Sequence, residues 1–173
     1  MLNAMAMPGV EVYVDIAAPI AQVWDLVTDI SLMPGFSAEL RSVEWADGFD
    51  EPALGAQFLG TNRHQAIGVW TTRCHITDFD PPRAFEWVVG NPDGPAAVWR
   101  FELAPATDGT RLRYSARLGP GKSGVTMMIE REPDRAVEIV DGRMRQWVTG
   151  MEAVVSGLKA IAESAAQDRS RTR

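Results

Sequence analysis

Apolar and polar positions alternate at the start of the chain. Val10, Val12, Val14 and Ile16 are separated by Glu11, Tyr13 and Asp15. A period of two predicts a strand with one buried face. Pro19 then suits the first turn of a helix, where a missing N–H is harmless. Ile20, Val23, Trp24 and Val27 recur at helical spacing and predict a helix ending near Asp29. Pro34 and Gly35 mark a turn or a second short helix between Ser31 and Ser37. From residue 40 the pattern is strand-like: Leu40 to Ala46, Ala56 to His64, Ile67 to Phe79, Arg83 to Val89, Ala96 to Leu103 and Thr110 to Leu118. Turn residues separate these runs, among them Asp80-Pro81-Pro82 and the hairpin signal Asp108-Gly109.

The last third is helical. Lys122 to Glu132 predicts one segment, interrupted by Pro133. A long helix follows from Asp134 to about Ser164. Val137, Val140, Met144, Trp147, Met151, Val154, Leu158 and Ile161 are spaced by three and four, so they form a single stripe. Gly142, Gly150 and Gly157 weaken that helix. Residues 165–173 are expected as a disordered tail and residues 1–9 as a flexible start, leaving one domain over 10–164. Consecutive strands joined by short turns favour an antiparallel sheet. A sheet of six or seven strands curls, and the amphipathic helix can fill its concave side, with one or two short helices after the first strand. The fold class is α+β.

Strand parity divides the side chains. Phe58, Gly60 and Asn62 share a face, as do Trp70, Thr72, Cys74 and Ile76; Phe85, Trp87 and Val89; Trp99, Phe101 and Leu103; and Leu112, Tyr114 and Ala116. Arg100, Glu102, Arg111, Arg113 and Arg117 lie opposite and read as a solvated outer face with cross-strand pairs. The aromatic faces point inward.

Charge and composition narrow the chemistry. The 173 residues carry 17 Lys plus Arg against 23 Asp plus Glu, a net −6, which argues against a phosphate-tracking nucleic-acid binder. One cysteine and two histidines leave no disulfide and no candidate metal centre. Cys74 and His75 are adjacent in a strand and face opposite sides, so they cannot activate one another. No apolar run approaches the ~20 residues of a membrane span, and Met1 to Gly9 does not read as a secretory signal, so a cytoplasmic protein is expected. Two polar residues stand out. Asn62 either presents its amide to the interior or bonds nearby backbone. Arg143 borders the apolar helix stripe, about 60° from Val140 at ~100° per residue, and either reaches the interior, or snorkels to the rim or pairs with a sheet carboxylate.

The chain resembles the START/SRPBCC superfamily, the helix-grip fold, in its polyketide cyclase/dehydrase and lipid-transport branch. VDIAAPIAQVWDLVTDI at Val14 to Ile30, GAQFLGTNR at Gly55 to Arg63, VWTTRCHITDFDPPRAFEW at Val69 to Trp87 and WRFELAPATDGTRLRYSARL at Trp99 to Leu118 carry the resemblance, with the long final helix. It implies a mostly apolar cavity between the curved sheet and that helix. The residues expected to line it are Phe58, Asn62, Trp70, Trp87, Trp99, Tyr114, Arg143, Met144, Trp147 and Met151, with Met127 and Met128 at its mouth. It implies a carrier or sensor for a small hydrophobic molecule, aromatic, polyketide-like or lipid-like. The alternatives are a cofactor-independent cyclase/dehydrase and a protein-interaction module.

Overall fold

The structure, a computed structural model, describes residues 7–65 and 68–171. Seven strands form one antiparallel sheet: β1 (Gly9–Ile16), β2 (Leu40–Trp45), β3 (Gln57–His64), β4 (Gly68–Asp80), β5 (Ala84–Val89), β6 (Ala97–Ala106) and β7 (Gly109–Leu118). Their spatial order is β1-β7-β6-β5-β4-β3-β2, so the first strand closes against the last. Helix α1 (Ile20–Thr28) and a 3-10 turn (Ile30–Phe36, containing Pro34) follow β1. After β7 come α2 (Gly124–Arg131), a 3-10 turn at Pro133–Arg135, and α3 (Ala136–Arg171). This is the α+β grip that the pattern predicts. Ile67 lies outside the described residues, as do 1–6 and 172–173 of the two expected terminal segments. The chain is already paired at Gly9, and α3 continues past Ser164 to Arg171, so 165–171 is helical where a disordered tail is expected.

Period-two patterning settles which face is buried. Phe58, Cys74, Ile76, Phe85, Trp87, Phe101, Leu103, Leu112, Tyr114 and Ala116 are all core. A one-residue register irregularity between Ile76 and Asp78 returns Phe79 to the inner face, where it meets Phe85 edge-on at 6.1 Å. The outer face is a lattice of ion pairs. Arg100 Nη1 lies 2.8 Å from Asp78 and 3.3 Å from Glu86, Arg113 joins Glu11 to Glu102, and Arg111 grips Asp15 with two bonds of 2.8 and 2.9 Å. A depression of about 440 Å³ on that face is lined partly by Glu11, Glu86, Arg100 and Arg113, which are already paired with one another.

The C-terminal half of α3 is fastened to the start of the chain. Lys159 Nζ donates to the Asp15 carbonyl at 2.6 Å, and the Ala17 N–H donates to Glu163 Oε1 at 2.9 Å. Gln22 Nε2 donates to the Ala162 carbonyl at 2.8 Å. Phe36 packs against α3 at Gly157, where a Cβ would stand 2.3 Å from two of its ring carbons. Close packing, not looseness, explains that glycine. Helix α2 is held by a capping box, with Ser123 Oγ accepting from the Thr126 N–H at 3.2 Å, and it buries no residue.

Candidate aromatic ligand site

Burial along α3 is graded. Val137 is 76% exposed, Val140 and Met144 are half-buried, Trp147 is 7% exposed, Met151 1% and Ala162 0%. The stripe also drifts. Val155 and Ala162 join the core, while Ile161 is 38% exposed although the pattern places it on the buried face. A straight helix rotates about 20° per heptad relative to a 3.5-residue repeat, so three heptads carry Ile161 about 60° away from Val140. The grip is therefore tight at the C-terminal end of α3 and loosens toward its N-terminal end.

At the loosening end the rings form one contiguous assembly. Trp87 and Trp99 are nearly parallel, 6.4 Å apart at 10°. Phe101 and Tyr114 stack at 4.1 Å, Phe58 meets Trp87 edge-on at 6.2 Å, and Trp99 reaches across to Trp147 on α3 at 4.9 Å. Register explains the sheet's share: Trp87 is paired with Trp99, and Phe101 with Tyr114, across adjacent strands. Small residues lie between the rings. Gly60 and Thr72 are paired across β3 and β4, and Ala116 faces Trp99. The grip is bridged ring to ring in this conformation.

One polar group in this assembly is buried with no partner among the described residues. The Trp147 indole Nε1–H is buried without an acceptor. Tyr114 is buried in the same assembly, and burial pushes its phenol well above the usual range. Burial also pushes the Cys74 thiol up to about 12. These two are the titratable side chains that the core buries among the described residues, and both stay protonated near neutrality.

The remaining expected site residues sit around this assembly. Met151 belongs to the same buried core, and half-buried Met144 packs against it. Asn62 and Trp70 face one another at the far end of the β3–β4 hairpin, and Asn62 Nδ2 donates to its own strand's Gly60 carbonyl at 3.3 Å. Met127 and Met128 are exposed on α2. Arg143 stands on the rim with its guanidinium 5.6 Å from the Trp147 ring centroid, and both its terminal nitrogens bind Glu39 at 3.0 Å. Sequence reasoning did not find Glu39. It lies between the 3-10 turn and β2, with no local pattern that points 104 residues ahead. The helix-wheel position of Arg143 could signal only that a partner was needed. Among the described residues, no cluster of His, Cys, Asp or Glu could hold a metal ion, and no helix is long and apolar enough to cross a membrane.

The family described as polyketide cyclase / dehydrase and lipid transport matches residues 7–163. The chain belongs to this family. Among solved structures, this polyketide cyclase/dehydrase and lipid-transport family member is similar to a polyketide-cyclase-like protein of Corynebacterium glutamicum. They share 28% identity over 92% of this chain and 94% of that one, with a TM-score of 0.66. The fold also matches the ZhuI aromatase/cyclase of Streptomyces sp. R1128, at 20% identity over 89% and 94% of the two chains and a TM-score of 0.60. The di-domain ARO/CYC StfQ of the steffimycin biosynthetic pathway matches at 12% identity and a TM-score of 0.72, over 92% of this chain and 51% of StfQ. No match is found among curated proteins.

Proposed function

We propose that this family member binds a flat, mostly apolar molecule between the sheet and the N-terminal half of α3, as an intracellular carrier or sensor. The observation that carries this reading is the Trp147 N–H, left without an acceptor inside an aromatic lining. A buried donor with no partner carries a penalty of about 1–3 kcal/mol, which a ligand oxygen removes. The rings of Trp99 and Trp147 must part to admit the guest. Trp99 and Met144 are half-buried at the loosening end and can yield, Met144 most readily because its unbranched side chain adapts to shape.

The same residues bear on the choice between binding and catalysis. General acid–base work is most efficient when a group titrates near the working pH. Cys74 and Tyr114 are both displaced upward by burial, which favours binding. A cyclase or dehydrase role draws on the family description and on the two donors, Trp147 and Tyr114, which would polarise a carbonyl between them.

Native mass spectrometry of freshly purified protein, with tryptophan-fluorescence titration against planar apolar dyes, tests the reading. A co-purified molecule or a saturable response is expected. Absence of both across aromatic and acyl probes overturns it. Conversion of a linear β-polyketone into an aromatic product would establish the catalytic alternative.

A further inference from the structure

The rim of the grip carries one guanidinium whose charge is already spent. Arg143 Nη1 donates to Glu39 Oε2 and Nη2 to Glu39 Oε1, each at 3.0 Å, and Nη1 also reaches Gln146 Oε1 at 3.3 Å. This is the two-point fork that arginine makes with carboxylates. Its members are only 25% and 28% exposed. Glu39 is also fixed through its backbone. Its N–H donates to Ser37 Oγ at 3.1 Å, and its carbonyl accepts from the Arg63 N–H of β3 at 2.9 Å. The carboxylate therefore arrives pre-positioned, and the pair presents no net charge to the interior.

Behind the pair the available chemistry is neutral. The Trp147 N–H can only donate, and the Tyr114 hydroxyl is a neutral phenol. An anion approaching Arg143 would have to displace Glu39, leaving that carboxylate without its partner, or lie beside a pair whose positive charge is already neutralised. A neutral molecule with an acceptor oxygen meets an unused donor.

Resting on the ligand-binding reading above, we propose that Glu39 sets the selectivity of the grip. By occupying Arg143 it turns away anionic aromatics and leaves neutral planar aromatics carrying a carbonyl-type oxygen, which the Trp147 N–H receives.

Three probes of similar shape separate the outcomes: 2-acetylnaphthalene, 2-ethylnaphthalene and 2-naphthoate, titrated calorimetrically against the full chain. The ketone is expected to bind about 10-fold more tightly than the hydrocarbon, by the worth of one hydrogen bond to an otherwise unpaired donor. The naphthoate is expected to bind most weakly. In Glu39→Gln the released guanidinium raises the naphthoate-to-ketone affinity ratio by about 10-fold or more. In Trp147→Phe the ketone-to-hydrocarbon ratio falls to about one. Because Glu39 is on the rim, Glu39→Gln keeps the test available if Trp147→Phe is poorly folded. Failure of all three probes to bind wild type overturns the selectivity proposal, and together with the absence of a co-purified molecule and of any response to acyl probes it overturns the ligand-binding reading itself. Saturable binding in which ketone and hydrocarbon are equal, or naphthoate is tightest, overturns the selectivity proposal alone. So does a Glu39→Gln variant with an unchanged ratio.

Discussion

The three glycines of α3 show how one residue type carries opposite energetics in a single helix. At Gly157 an added Cβ would collide with Phe36, and at Gly150 nothing lies within 4 Å. Gly150→Ala should gain the helix propensity of alanine, about 0.8–1 kcal/mol. Gly157→Ala must push the Phe36 ring aside and should lose about 1–3 kcal/mol despite the same propensity gain. Urea denaturation of the two variants checks the sign of each. Sequence patterning reads all three glycines alike, because what separates them is an aromatic ring more than a hundred residues upstream. Arg143 shows the same limit. Its azimuth on the helix is legible, but the identity of Glu39 as its partner is not, since that contact exists only once the 3-10 turn has docked.

Among elements, most strand bounds were legible to within a residue, β6 running three residues further, whereas the facing of α3 was not. Strand parity is a two-way choice, and each inward set keeps its face except where an irregularity at Ile76/Asp78 or Leu40/Ser42 inserts a step. Helical phase is continuous, so a small error in period accumulates. That is why Ile161 emerges at the surface while Ala162 takes the core. The gradient along α3 was invisible for another reason: the stripe is apolar throughout, but its C-terminal part is clamped at several points by Lys159, Glu163 and Phe36, and its N-terminal part is tied at the rim through Arg143 and Glu39. Amide exchange should follow the clamps. Residues 136–144 should exchange fastest and 151–162 slowest, since local opening follows local burial. Mass-spectrometric hydrogen exchange with and without a bound aromatic probe reads this directly. Protection gained on binding should concentrate in the N-terminal third of α3.

For the whole molecule, the charges predict a stability plateau with two unequal shoulders. Burial holds the Cys74 thiol up at about 12 and raises Tyr114 as well. As pH climbs past about 9, the unfolded chain releases a thiol proton that the folded chain keeps, so stability falls. On the acid side, hydrogen bonds from Arg113, Arg111, Arg83, Arg135 and Lys159 hold Glu11, Asp15, Asp80, Glu138 and Glu163 below the usual carboxylate range. Below about pH 4 the unfolded chain takes up those protons first, and stability falls again. These carboxylates lie at the surface, where solvent screens them, so the acid shoulder should be shallow and salt-sensitive. Denaturant midpoints measured from about pH 4 to pH 11 should be flat between about 5 and 9 and steeper on the alkaline side. Cys74→Ala should shrink that alkaline shoulder, leaving the part above about pH 10 that belongs to Tyr114.

The pairing of β1 with β7 bears on how the protein is made. Glu11 and Arg113, which pair diagonally across that seam, are 102 residues apart. A ribosome adding about 5–20 residues per second needs on the order of 5–20 s to cover that interval. Throughout it, β1 has left the exit tunnel without its neighbour, and its lid, α3, is made later still. The nascent chain thus carries an unsatisfied edge and an alternating apolar strand for seconds, a period in which unpaired strands invite association. The newborn protein is expected to lean on holding chaperones at β1 until β7 and α3 have been made, and to acquire protease resistance only then.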